Sequence, residues 1–206
     1  MTEKEVHSIL LDKLNFSQDA LYKIHIFCRE VIEYNQKFNL ISKSTEDNIW
    51  DRHVLDSAQL VKFIDFKDGS SLADLGTGAG FPGIILAIFN KNSKFHVKLY
   101  EKSNIKCDFL ENIKNKLDLD LDVFGHYQDE EINSEYVVSR AFKKLEEILR
   151  ISREIIKVNH KLIILKGKNA QDEMNKLQQP LEFIYKLEKS ITDPNSKILI
   201  VDIKKK

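Results

Sequence analysis

Three glycines spaced two residues apart, Gly76, Gly78 and Gly80, lie between a short apolar run and an apolar, helix-like one. Residues 70–75 read as a strand. Residues 81–89 read as a helix with Pro82 in its first turn, where a missing amide hydrogen costs nothing. Glycine lets a backbone turn tightly and approach a ligand closely. Strand, bare turn and helix in that order belong to a parallel α/β sheet, whose ligands bind beyond the carboxyl ends of the strands. The segment therefore sets the fold class and marks a candidate site.

The remaining pattern agrees with that class. Residues 95–100, 119–124, 136–139 and 161–165 read as further strands. Helices are expected over 103–117, with Ser103 as cap, and over 145–157 and 170–177, the last ending before Pro180. Leu181, Phe183, Tyr185 and Leu187 alternate, as do residues 198–202. The turn Asp193-Pro194-Asn195 between them leaves no room for a helical crossover, so these two strands should pair antiparallel. Residues 1–67 carry helical signals alone. A short helix is expected over 3–14. A second, capped by Ser17, should bury the stripe Ala20, Leu21, Ile24, Phe27, Cys28, Val31 and Ile32. A third should start at a Thr45 cap and run to Phe66. The chain of 206 residues thus reads as one domain, a helical extension over 1–67 on an α/β core over 68–206.

A parallel sheet ending in an antiparallel hairpin resembles the class I S-adenosylmethionine-dependent methyltransferase fold, which is Rossmann-like. Gly78-Ala79-Gly80-Phe81-Pro82-Gly83 also matches GxGxxG, so a NAD-dependent oxidoreductase is the rival. Asp74, two residues before the first glycine, can meet an ammonium group or adjoining water, and the glycines crowd ahead of Phe81-Pro82. Both features favour a phosphate-free, sulfur-bearing adenosine over a pyrophosphate. Glu101, ending the second strand, can accept both ribose hydroxyls and serves either ligand.

Several acceptor chemistries lack their residues. The segment after the fourth strand is Ser139-Arg140-Ala141-Phe142, not the Asn-Pro-Pro-aromatic stretch used for exocyclic amines. Cys28 and Cys107, the only cysteines, fall on expected helices rather than strand ends, so neither suits nucleophilic attack on a pyrimidine ring. No metal-ligand spacing is present. A ring nitrogen with a free lone pair, such as guanine N7, needs alignment and little else, although other lone-pair acceptors fit too. Arg140 and Lys166, at the carboxyl ends of the fourth and fifth strands, are the candidate catalytic residues. Arg140 can bind a carboxylate, guanine O6 or a phosphate. His53 reads as a core histidine pairing with Asp51 or Asp56, and Trp50 as packing. Formal net charge is +0, so attraction to nucleic acid would have to be local; Lys143-Lys144, Lys161, Lys166, Lys168 and Lys204-Lys205-Lys206 are the uneven lysines. The polar start and the absence of a long apolar run point to a cytoplasmic protein without membrane contact.

Four segments resemble the bacterial small-subunit rRNA guanine-N7 methyltransferases, the glucose-inhibited division protein B family. They are Phe38-Asn39-Leu40-Ile41-Ser42, Arg52-His53-Val54-Leu55-Asp56-Ser57, residues 74–84 and Ser139-Arg140-Ala141-Phe142, with Leu165-Lys166-Gly167 as a weaker fifth. The resemblance implies S-adenosylmethionine as cofactor. It implies a donor site of Gly76, Phe81, Arg140 and the pair Tyr127-Gln128, with Asp74, Gly78 and Glu101 alongside. It further implies N7 of a guanine in the decoding-region loop of 16S rRNA as acceptor, with naked 16S rRNA or the small ribosomal subunit as partner, and a monomeric enzyme. Two departures stand out: His126-Tyr127-Gln128-Asp129 replaces an Arg-Ala-Glu-like stretch, and Glu101 replaces the usual Asp. A non-catalytic rRNA-binding module that keeps the fold is the second alternative.

Overall fold

Seven strands among the described residues form one sheet: β1 (Ser71–Leu75), β2 (His96–Tyr100), β3 (Leu121–Phe124), β4 (Tyr136–Arg140), β5 (His160–Lys166), β6 (Ile184–Lys189) and β7 (Lys197–Ile203). Their order in the computed structural model is β3-β2-β1-β4-β5-β7-β6. The structure describes residues 1–129, 131–140, 143–167, 169–176 and 184–205. Strands β1 to β5 pair in parallel. β7 runs antiparallel to both β5 and β6, as the short connection requires. The chain runs outward from β1 to β3 and returns to β4 on the other side of β1, so the sheet has its switch point between β1 and β4. A ligand crevice is expected there, beyond Leu75 and Arg140.

Central strands are buried on both faces, which explains why they read as continuous apolar runs. Leu72, Val97, Leu99, Ile163 and Leu165 face one core, and Ala73, Leu75, Leu162 and Ile164 face the other. The first core is covered by α1 (Glu3–Ser8), α2 (Gln18–Asn35), α4 (Asp56–Ala58), α5 (Gly83–Phe89) and α6 (Asn104–Leu117), so the N-terminal helices and the sheet share it. The second is covered by α7 (Leu145–Ile155) and α8 (Ala170–Asn175).

Helix α2 forms as its stripe predicts. The Ser17 hydroxyl accepts from the Ala20 amide at 3.1 Å, and Phe27, Ile24 and Val31 are fully buried. Each such side chain contributes roughly 1.5–3 kcal/mol by leaving water. Asn35, at its end, turns its amide oxygen onto the Leu40 and Ile41 amides at 2.8 and 3.0 Å and so fixes the following loop.

Several local expectations are corrected. The helix expected from Thr45 to Phe66 is broken into α3 (Lys43–Glu46), a widened π-helical turn over Trp50–Leu55, α4, and a tight 3-10 turn over Gln59–Phe63. Ser42 holds the cap position of α3, while Thr45 lies within it and donates to the Ser42 carbonyl at 2.9 Å. The first helix likewise passes into a π turn over Ile9–Lys13. Ser103 precedes α6 but makes no side-chain cap bond; its amide is held by Glu101 instead. α5 begins at Gly83, not Phe81, with Pro82 at its cap position, because the Gly83 amide is tied back to β1. Leu177, Leu181 and Phe183, assigned above to a helix end and a strand, lie outside the described residues.

Gly83 sits against β1 and β2. A Cβ there would fall 2.2 Å from Leu99 Cδ2 and 2.8 Å from Asp74 Oδ2. Gly83→Ala should therefore overpack this contact and cost about 1–3 kcal/mol, read as a lowered midpoint in urea unfolding at unchanged slope.

Candidate active site

The β1–α5 turn is held by two carboxylates from adjacent strand ends. Asp74, fully buried, places Oδ2 where it accepts from the Thr77 hydroxyl at 2.6 Å and the Gly83 amide at 2.7 Å. Its Oδ1 is buried and unpartnered, and burial pushes the Asp74 pKa up to about 6. Glu101 accepts from the Gly78 amide at 3.0 Å through Oε2 and from the Ser103 amide at 2.9 Å through Oε1. The Gly76 and Thr77 amides both donate to the Tyr100 carbonyl, at 2.9 and 3.1 Å. Gly76 and Gly78 take φ of +68° and +62°, a region that side-chain-bearing residues avoid.

Above this turn lies a cleft of about 530 Å³. Gly76, Gly78, Phe81, Glu101, Tyr127, Leu40 and Ile41 are among the residues that line it. Of the expected donor-site residues, Gly76, Gly78, Phe81, Glu101, Tyr127 and Arg140 line it together. Asp74 lies beneath the lining, with its Oδ2 engaged by the turn. Gln128 is exposed and outside the lining, while its neighbour His126 takes part.

Arg140, with His53 and Lys143, lines both this cleft and a second cavity of about 450 Å³. Lys166 lies in the second, tied to Glu173 at 2.7 Å, and borders no part of the first. Arg140 Nη1 donates to the Arg52 carbonyl at 2.9 Å, and Nη2 donates to His53 Nδ1 at 2.6 Å. His53 Nε2–H in turn donates to Thr45 Oγ1 at 2.8 Å, so the ring is neutral and both nitrogens are used. Burial, reinforced by Arg140 and Arg52, drives its pKa down to about 3. His53 therefore does not pair with Asp51 or Asp56 as its sequence neighbourhood suggests; it orients the guanidinium. Sequence reasoning also left out Asp56 and the cleft wall at Leu40 and Ile41, although both lie in segments marked above by resemblance. Trp50 packs edge-on against His7 and His25, at 4.6 Å between centroids in each case. Glu3 approaches the same two rings at 3.4 and 3.7 Å, which ties α1 to α2.

The cleft fits a sulfonium nucleoside. Its volume lies within the range of small-ligand pockets, roughly 300–1,000 Å³. Each Glu101 oxygen accepts one backbone amide, which leaves lone pairs for a ribose diol. A dinucleotide fits poorly, because the helix N-terminus that would take its pyrophosphate is already capped by the Asp74 carboxylate.

Solved structures carry the same fold. A SAM-dependent methyltransferase from Aquifex aeolicus superposes with a TM-score of 0.55 at 16% identity, covering 83% of this chain and 97% of that one. A fibrillarin/Nop5p complex gives a TM-score of 0.56 at 12% identity, covering 75% and 82%. The fold is that of the class I S-adenosylmethionine-dependent methyltransferases. The family described as GidB, rRNA small subunit methyltransferase G, matches residues 20–199. Ribosomal RNA small subunit methyltransferase G of Pelagibacter ubique (strain HTCC1062) is 36% identical over 204 residues, covering 96% of this chain and 95% of the relative. That of Rickettsia felis is 36% identical over 185 residues, covering 89% and 94%. The chain belongs to the rRNA small subunit methyltransferase G family.

Gly78→Asp would force a side chain into the left-handed region and set a second carboxylate beside Glu101. Calorimetry should find no binding of S-adenosylmethionine by a variant that still unfolds cooperatively; unchanged affinity would remove the turn from the donor site. The His53 shift has a definite sign. Its folded pKa of about 3 lies below the ordinary 6.5, so the unfolded chain takes up the proton first as pH falls. Stability should therefore drop between pH 6.5 and 3, and His53→Gln should flatten that dependence in urea titrations.

Proposed function

We propose that the chain transfers a methyl group from S-adenosylmethionine to N7 of a guanine in the decoding-region loop of 16S rRNA. The observation that carries this reading is a donor cleft and a second cavity that share Arg140, with no cysteine among the described residues that line either. Cys28 is buried in α2, and Cys107 on α6 directs its sulfur to the Glu101 carbonyl, so neither borders the junction. His53 has both ring nitrogens engaged. An acceptor that already owns a lone pair and loses no proton matches such a site, because its reaction needs alignment alone.

When bound, S-adenosylmethionine supplies an electrophilic methyl on its sulfonium centre. Glu101 holds the nucleoside end, and the apolar wall of Leu40, Ile41 and Phe81 excludes water from the cleft. Arg140, fixed by His53 and the Arg52 carbonyl, presents its remaining N–H groups to the acceptor base. Arg52, Lys166 and Lys197 surround the second cavity, and Lys102, Lys106 and Lys143 the first. A chain of formal net charge +0 thus concentrates cations where phosphates would lie. The partner is 16S rRNA, alone or in the small subunit, and the enzyme acts as a cytoplasmic monomer. No helix of the described residues is long and apolar enough to cross a membrane.

Mapping N7-methylguanine in small-subunit rRNA should find one modified position that disappears when this gene is deleted; an unchanged map overturns the reading. With labelled donor, Arg140→Ala should lose about a hundredfold or more in kcat while still binding S-adenosylmethionine. Full turnover by that variant would remove Arg140 from the mechanism.

A further inference from the structure

The second cavity contains a carboxylate whose placement methyl-donor binding does not explain. Asp56 lies on α4 with a side chain only 20% exposed, and it borders the second cavity but not the donor cleft. Its Oδ1 accepts from Gln59 Nε2 and Thr192 Oγ1, each at 3.0 Å. Gln59 is itself clamped to the turn between β6 and β7, through Ser190 Oγ at 3.0 Å and the Ile191 amide at 2.9 Å. The N-terminal segment and the C-terminal hairpin therefore both fix this carboxylate. Its Oδ2 makes no hydrogen bond among the described residues; Arg140 Nη1, at 3.9 Å, is the nearest cation and is too far for one. The cavity is left with one immobilised, open carboxylate oxygen beside a guanidinium that has N–H groups to spare.

We propose that Asp56 reads the Watson–Crick edge of the acceptor guanine, accepting from N1–H and the N2 amine, while Arg140 donates to O6. The inference rests on the guanine-methylating reading above and assigns its acceptor subsite. Around the edge of guanine the order is N7, O6, N1–H, N2 amine. The site offers the donor cleft, then Arg140, then Asp56, in the same order. With N7 turned to the cleft, each polar atom along the base meets a group of opposite hydrogen-bonding sense. Adenine in that pose would set an amine against Arg140 and an acceptor nitrogen against Asp56, two mismatches in a desolvated pocket. Reading this edge also requires a base that is not paired, so the substrate is a guanine splayed out of its helix.

The test uses the full chain and small subunits assembled from 16S rRNA carrying either guanine or inosine at the methylated position. Inosine keeps N7, O6 and N1–H and lacks only the N2 amine. Wild-type enzyme should show kcat/KM about tenfold lower on inosine. Asp56→Asn, which preserves size, should be slow on both RNAs and lose the discrimination, with calorimetric affinity for S-adenosylmethionine unchanged. Equal turnover of guanine and inosine by wild-type enzyme overturns the assignment whether or not the variant folds. So does full discrimination by Asp56→Asn. Absence of methylation on either RNA by wild-type enzyme would instead sink the underlying functional reading.

Discussion

Asp74 carries a carboxylate into the interior at the end of β1, where no water reaches it, and spends it on its own chain. Isolating a charge in this way is costly, and the raised pKa expresses that cost. Two short hydrogen bonds offset it, one to Thr77 inside the turn and one to the first amide of α5. Together they set where the strand stops, how the glycines turn and where the helix starts. They also place negative charge where a pyrophosphate would need a bare helix N-terminus. The turn that forms one wall of the cleft is thus set from beneath, by a fully buried carboxylate.

The same logic governs Arg140. A guanidinium at a strand end, among apolar neighbours, would be free to turn to whichever carboxylate is nearest. Here a neutral histidine takes one N–H and a backbone carbonyl takes another, so neutral partners orient the group, with the Asp56 carboxylate 3.9 Å away. Had His53 been protonated, two cations would face each other in a buried place; burial and Arg140 together exclude that state. The charge on Arg140 is left to act across the junction of two cavities.

The parts of this structure legible in the sequence are those fixed by local periodicity and turn chemistry. The five parallel strands, the closing hairpin, the amphipathic stripe of α2 and the glycine turn all follow from neighbours within a few residues. Glu101 was legible too, because the spacing from a glycine turn to the end of the next strand is set by one helix and one strand. What escaped depends on distant pairs. Nothing near Asp74 says that its carboxylate points down to Gly83 rather than up to a ligand. His53 has acidic neighbours in sequence, and its real partner is 87 positions away. The expected long helix over 45–66 departs from regular geometry across Trp50–Leu55, where His53, Val54 and Leu55 are buried in succession.

That broken segment shows what the helical extension contributes. The α/β fold itself is shared with solved structures at low identity. In this chain the N-terminal segment adds residues to the walls of both cavities, beside those from β4, β5 and β7. Leu40 and Ile41 wall the cleft through the Asn35 side chain, and Arg52, His53 and Asp56 come from the widened turn and α4. The hairpin locks the last of these through Gln59 and Thr192, contacts 131 and 136 residues apart in the chain. A regular helix advances about 100° per residue, and a π turn advances less, shifting which side chains share a face. Consecutive residues of this segment thus serve the hydrophobic core and line the second cavity at once.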